Sequence, residues 1–161
     1  MKKINFLNGK EVYDELLSIF PMQPIPVFSE DMRGLSDLEL VHAFFSGRQW
    51  GEIADNLNLK EDSYALELGL SFISECDFFY YIPLYIYASL HNKNEFWVFE
   101  SDFVQQYLCP EYRDYDDFLN FILRFSDAQL LILAQFIAYE ADILKFSYAS
   151  KACRDFWDSY L

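Results

Sequence analysis

Few residues of this chain have the types and spacing that catalysis requires. The sequence has two histidines, His42 and His91, and none of the motifs that pair a histidine with a nucleophile or a metal. General acid–base catalysis needs a histidine within hydrogen-bond reach of an oriented partner. His42 lies between apolar residues, and His91 falls at a predicted helix C-terminus, where the helix dipole favours its charged form. We therefore expect structural roles for both histidines and no enzyme activity. The alternative for these residues is an enzyme that pairs one of the histidines with a carboxylate.

The densest group of carboxylates consists of Asp114, Asp116 and Asp117, with Glu111 close by. Hard cations bind grouped oxygen ligands, but the Asp-x-Asp-Asp order lacks the glycine and the distal glutamate of a calcium loop. The same residues can cap the N-terminus of the following helix and interact favourably with its dipole. They can also form a surface for a partner protein. These alternatives stay open in the sequence, and we predict no metal and no cofactor.

The three cysteines, Cys76, Cys109 and Cys153, are far apart and stand among apolar or aromatic neighbours. No pair has the short spacing of a zinc site, so the sequence predicts buried free thiols in a reducing cytoplasm. The first ten residues begin with two lysines, but polar residues interrupt the apolar stretch that a signal peptide needs. The apolar stretch Leu68–Leu90 contains two carboxylates and a proline, which favours core helices over a membrane span. We expect a cytoplasmic protein.

The charge of the chain is strongly unbalanced. Of its 161 residues, 26 are acidic and 12 are Lys or Arg, so the net charge is −14 and the pI is about 4.3. A chain this acidic does not attract nucleic acid or an anionic membrane. The segment from Glu61 to Tyr112 contains nine carboxylates and a single lysine or arginine, Lys93. The repulsion among these carboxylates opposes folding, so we infer that their negative charge serves to bind a partner. The alternative is a generally acidic bacterial cytosolic protein.

Two segments combine aromatic and acidic residues in the manner of a protein interface, Phe96–Glu100 and Tyr112–Asp117. Interfaces favour Trp and Tyr as anchors, while carboxylates steer a basic partner and accept hydrogen bonds from it. For the phenylalanines of the first segment, core packing or a short strand is an equal alternative. The predicted partner-binding residues are Glu95, Trp97, Glu100, Asp102, Glu111, Asp114, Tyr115, Asp116 and Asp117.

The elements that must position these residues are predicted to be helices. The chain is 53% hydrophobic, and its 5 Gly and 5 Pro supply too few turns for a many-stranded β-protein. We predict an all-α, single-domain bundle over residues 1–161, with seven or eight helices around a central buried helix at about 127–147. The predicted helices lie at 11–20, 36–46, 61–74, 82–91, 102–108, 115–124, 126–147 and 150–160, and a short helical segment is predicted at 50–53.

Local signals set the ends of these helices. Ser36 with Glu39, and Ser126 with Gln129, have the spacing of capping boxes at helix starts. Gly47 is placed to end the second helix, and Ser101 or Asp102 to cap the sixth. Because proline lacks an N–H, we place Pro83 in the first turn of a helix at 82–91.

The chain also resembles known bacterial proteins. Trp50-x-x-Ile53, the segment Phe79-Tyr-Tyr-Ile-Pro-Leu-Tyr85 and Ser126-x-x-Gln129 ahead of an apolar helix are similar to a family of small, acidic bacterial proteins of uncharacterised function. This similarity covers residues 35–140 and brings no catalytic residues with it. In size and acidity the chain looks like the immunity proteins of contact-dependent growth inhibition.

These observations predict an immunity protein, a cytoplasmic inhibitor of one cognate toxin domain. Many such toxins are nucleases, which present a basic surface to phosphates. An acidic helical protein can cover that active-site or substrate-binding surface. The alternative is an acidic helical adaptor or regulator with an endogenous partner.

Overall fold

The computed structural model describes residues 3–28, 35–91 and 99–161, and these ranges contain helices and no strand. The predicted all-α class is confirmed. None of the described helices is long and apolar enough to cross a bilayer. The nine α-helices of the described ranges are α1 (Gly9–Ile19), α2 (Ser36–Phe45), α3 (Trp50–Asp55), α4 (Leu59–Phe72), α5 (Glu75–His91), α6 (Phe99–Phe103), α7 (Tyr115–Ile122), α8 (Asp127–Asp142) and α9 (Ser147–Asp155). The described ranges also contain a π-helical turn (Val104–Leu108) and two 3-10 helices (Pro110–Tyr112 and Trp157–Tyr160).

The chain divides into two compact units. The first, here called the terminal unit, comprises Met1–Val12 and Ser101–Leu161. The second, the middle unit, comprises Tyr13–Glu100. The expectation of one domain over residues 1–161 stays a prediction.

The core of the terminal unit forms around α8, which packs against α9 and the final 3-10 helix. Trp157 is fully buried, and its indole N–H donates to the Leu108 carbonyl at 2.7 Å. Phe156 is half-buried. The prediction that α8 continues to residue 147 is wrong at its end, since α8 stops at Asp142 and Lys145 adopts a left-handed φ of 63°. An L-residue in that conformation cannot continue a right-handed helix.

Two buried tyrosines of α5 fix the core of the middle unit. The Tyr81 hydroxyl donates to the Phe45 carbonyl at 2.5 Å, and the Tyr85 hydroxyl donates to the Leu66 carbonyl at 2.7 Å. Both side chains are fully buried, and burial raises the pKa of Tyr81. The two bonds tie α5 to α2 and to α4.

The predicted start of the helix that contains Pro83 is wrong. α5 begins at Glu75, and Pro83 lies inside it. A proline in a helix interior costs about 3 kcal/mol because one backbone hydrogen bond is lost. Eleven residues of α5 are buried, Pro83 among them, and each large apolar side chain contributes about 1.5–3 kcal/mol on burial. Tertiary packing therefore outweighs the local cost.

The sixth predicted helix also differs from the structure. Ser101 and Asp102 lie inside α6, so neither is its N-cap. The chain then widens into the π-helical turn, and Pro110 occupies the first position of the following 3-10 helix. Proline is tolerated there because that N–H would have no partner within the helix.

The two predicted capping boxes have different outcomes. Ser126 caps α8 as predicted: its Oγ accepts from the Gln129 N–H at 3.4 Å, and Gln129 Oε1 accepts from the Ser126 N–H at 2.9 Å. At α2 the prediction is wrong, because Leu35 is the N-cap and no side chain bonds to the helix end there. Ser36 already lies within the helix and cannot bond to the free N–H groups as a cap.

This contrast gives a paired stability prediction. We expect Ser126→Ala to lower the free energy of unfolding by about 1 kcal/mol, the usual value of a serine N-cap. Ser36→Ala is expected to change it by less than about 0.5 kcal/mol, as for most surface substitutions. Urea denaturation of both variants measures the difference. Equal losses would contradict the assignment of the two caps.

Candidate protein-binding surface

The predicted site residues that the structure brings together lie where the 3-10 helix leads into α7. We call Glu111, Tyr112, Asp114, Tyr115, Asp116 and Asp117 the α7 acidic surface. All six side chains are exposed, and Tyr112 and Tyr115 retain 52% and 54% of their accessible area. Large aromatic side chains left this exposed beside carboxylates are typical of protein-binding surfaces.

Asp114 has a structural role within this surface. It is the N-cap of α7, and its Oδ1 accepts from the N–H groups of Asp116 at 3.0 Å and Asp117 at 3.2 Å. The capping interpretation is therefore confirmed for Asp114. Asp116 and Asp117 occupy the first turn, where the helix dipole favours negative charge. The cap holds the backbone that carries their two carboxylates.

Two cations border the α7 acidic surface. Lys151 of α9 forms an ion pair with Glu111 at 3.5 Å and with Asp155 at 2.6 Å, and the hydrogen bond to Asp155 raises the pKa of Lys151. The Arg113 guanidinium lies 5.3 Å from the Phe121 ring centre. Within the described ranges, no cation forms an ion pair with Asp116 or Asp117. These two carboxylates thus supply negative charge that the described part of the molecule does not neutralise.

Asp102 is the one other predicted site residue whose side chain the structure describes. Asp102 is exposed in α6. Glu95 and Trp97, and the side chain of Glu100, lie outside the described residues. Tyr112 is not among the predicted site residues, although the acidic-aromatic segment Tyr112–Asp117 begins at this residue.

The terminal unit also has an open groove of about 520 Å³ between its N-terminal segment and α8. Leu7, Ile143 and Leu161 are exposed along it, and Lys3 and Asp142 contribute one charge of each sign. This balance of charge favours neither a basic nor an acidic ligand. The groove therefore adds no information about the chemistry of a partner.

Each histidine ring lies against an aromatic ring in the described part of the chain. His42 is half-buried and its ring meets Phe28 edge-on at 6.4 Å. His91 is exposed at the end of α5, with Nδ1 2.9 Å from the Tyr87 carbonyl and its ring 4.3 Å from that of Tyr87. Across the described ranges, no three His, Cys, Asp or Glu residues form a group that could hold a metal ion.

The prediction of three buried thiols is wrong for Cys76, which is exposed in the first turn of α5. The error follows from the misplaced start of that helix. Cys109 and Cys153 are buried as predicted. Burial, together with the nearby Glu111, raises the pKa of Cys109 to about 12. Burial also raises the pKa of Cys153 to about 11.

We predict that one thiol of three reacts with Ellman's reagent at pH 8 in the folded protein, and that Cys76→Ser abolishes this reaction. A raised pKa keeps the buried thiols protonated, and thiolate is the reactive form. Three fast thiols at pH 8 would contradict the burial of Cys109 and Cys153.

The thiol of Cys109 also makes the free energy of unfolding depend on pH. Its contribution is complete below pH 9 and is lost as the pH rises towards 12.

Comparison with known proteins identifies no relative. No family model matches the chain, and no curated protein or solved structure is significantly similar to it. The resemblances noted in the sequence therefore stay predictions. Function is inferred below from the α7 acidic surface.

Proposed function

We propose that this protein is an immunity protein that binds a cognate nuclease toxin domain in the bacterial cytoplasm and covers its basic active-site or substrate-binding surface. The α7 acidic surface carries the proposal. Asp116 and Asp117 present unneutralised negative charge in the same short segment as two exposed tyrosines, on a helix start that Asp114 holds in place.

The binding mechanism follows from this composition. A nuclease needs a basic surface for phosphates, and carboxylates can occupy that surface in place of the nucleic acid backbone. Long-range attraction speeds the encounter of the two proteins, and this effect weakens as salt is added. The exposed tyrosines then lose water against the toxin and slow dissociation. Because the capped helix is ordered before binding, little entropy is lost there on association.

The direct test is rescue of growth. We expect co-expression of this protein to restore growth of cells that produce a toxin domain encoded next to it, and the purified pair to form a complex. The matched control is the toxin domain with an inactivated catalytic residue, which should bind without killing. Absence of both rescue and binding with the adjacent toxin would contradict the proposal. Capture of an endogenous basic partner would then support the adaptor alternative.

Tyr115 supplies a prediction on dissociation. Its ring stacks on that of Phe118 at 6.5 Å while half of its area stays exposed. We expect Tyr115→Ala to raise the dissociation rate of the toxin complex about tenfold, with little change in the association rate, whereas Tyr115→Phe should preserve most of the affinity. We expect Trp97→Ala to act in the same way, although Trp97 lies outside the described residues. Surface plasmon resonance separates the two rates, and a dissociation rate unchanged by Tyr115→Ala would remove Tyr115 from the interface.

A further inference from the structure

The outer face of α4, in the middle unit, bears apolar side chains that the described residues leave partly exposed. The residues of α4 that pack into the core are Ser63, Ala65, Leu66, Gly69 and Leu70. On the opposite side Tyr64 retains 52% and Phe72 42% of their accessible area, with half-buried Leu68 between them. These three residues repeat at i, i+4 and i+8, so they form one stripe about 12 Å long on the helix surface. We call it the α4 stripe.

Carboxylates surround Tyr64 at one end of this stripe. Its hydroxyl donates to Asp37 Oδ1 of α2 at 3.2 Å, and this bond raises the pKa of Tyr64, so the phenol stays protonated. Glu61 and Glu67 lie three residues before and after it, on the same face of the helix. Lys60 is the one lysine or arginine of α2 and α4.

The charge of this region identifies the kind of partner. An apolar stripe could in principle receive a second copy of the chain, but two copies would bring the same carboxylates together in a protein of net charge −14. A basic partner instead pairs with these carboxylates while its apolar residues cover Tyr64, Leu68 and Phe72. The hydrogen bond to Asp37 holds the Tyr64 ring before binding, which lowers the entropic cost of using it as an anchor.

We propose that the α4 stripe is a docking site for a basic amphipathic helix of the toxin, separate from the α7 acidic surface. A helix laid along α4 can place apolar residues at the same i, i+4 and i+8 spacing and lysines or arginines on both sides of them. This inference rests on the proposed function, since it takes the same toxin as the partner. It assigns to the middle unit a second, more apolar contact.

The first experiment uses a synthetic 14-residue amphipathic helix of leucine and lysine, titrated into the full chain by calorimetry. We expect Tyr64→Ser with Phe72→Ser to raise the dissociation constant of the peptide at least tenfold. The matched control, Leu123→Ser with Ile143→Ser, removes two exposed apolar side chains that belong to neither surface and should change it less than twofold. Replacement of the peptide lysines by glutamate should abolish binding. Circular dichroism checks that each variant is folded.

Four outcomes would overturn the inference. Equal losses in the two variant pairs would mean that the peptide binds any exposed apolar side chain, and no loss in either pair would place its site elsewhere. Equal affinity for the lysine and glutamate peptides would show that the α4 stripe does not select a basic partner. A wild-type dimer in sedimentation equilibrium that Tyr64→Ser with Phe72→Ser dissociates would assign the stripe to a second copy. Failure of growth rescue counts against the proposed function and leaves these peptide measurements interpretable.

Discussion

Replacing Asp116 and Asp117 with lysine is expected to slow association with the toxin at least tenfold at low salt. Both carboxylates are exposed in the first turn of α7, and no cation of the described residues pairs with them. The double substitution changes the local charge by four units where a basic surface is expected to approach. Electrostatic steering contributes factors of about 10 to 1,000 to association rates, so reversal of its sign should remove most of that gain.

The control for this experiment carries the same change in net charge. Asp127 and Asp158 are exposed acids of the same terminal unit, outside the α7 acidic surface, and make no side-chain hydrogen bond in the described structure. Asp127→Lys with Asp158→Lys should reduce the association rate by less than threefold. Stopped-flow measurements between about 20 and 500 mM salt should show the two variants converging as the charges are screened.

The stability of the charge-reversed protein must be checked separately. Lysine in the first turn opposes the helix dipole and costs about 0.3–1 kcal/mol at each position, whereas Asp114 and its capping bonds are unchanged. The variant should therefore remain folded by circular dichroism. Equal association rates for the wild type, the variant and the control would contradict the assignment of the α7 acidic surface.

What the sequence predicts well is set by local chemistry. The capping bonds of Ser126 and Gln129, the left-handed Gly47 after α2 and the cap at Asp114 all depend on residues within four positions of each other. The side chains of Ser126, Gln129 and Asp114 satisfy nearby backbone groups, and Gly47 adopts a positive φ without a steric penalty because it has no Cβ. The acidic and aromatic composition of the segment from Tyr112 to Asp117 is likewise read directly from the sequence.

What the sequence does not predict depends on distant contacts. Pro83 lies inside a helix because the residues around it are buried, and the bonds from Tyr81 to Phe45 and from Tyr85 to Leu66 span 36 and 19 residues. Ser36 has the same motif as Ser126, but α2 begins one residue earlier than the motif requires. The sequence does not predict the α4 stripe, for a related reason. Tyr64 and Phe72 resemble core residues until the packing shows that other residues of α4 already fill the core.

Gly69 shows this conflict between local preference and packing most sharply. It lies inside α4, where alanine is favoured over glycine by about 1 kcal/mol, so the sequence alone predicts that Gly69→Ala stabilises the protein. In the structure an added Cβ would collide with the Tyr85 hydroxyl and would stand 2.8 Å from the Phe45 ring. Both side chains are fully buried, and that hydroxyl donates to the Leu66 carbonyl.

We therefore expect Gly69→Ala to lower the free energy of unfolding by about 2 kcal/mol, since overpacking a core costs about 1–3 kcal/mol and displacement of a buried hydrogen bond adds to that. The matched control is Gly51→Ala, whose Cβ would meet mainly the flexible end of Met22; its effect should stay within about 0.5 kcal/mol. Urea denaturation of both variants measures these changes. Tyr85→Phe removes the colliding hydroxyl, so Gly69→Ala should cost less in that background than in the wild type. A stabilising Gly69→Ala, or equal costs in the two backgrounds, would contradict the packing of α4 against Tyr85.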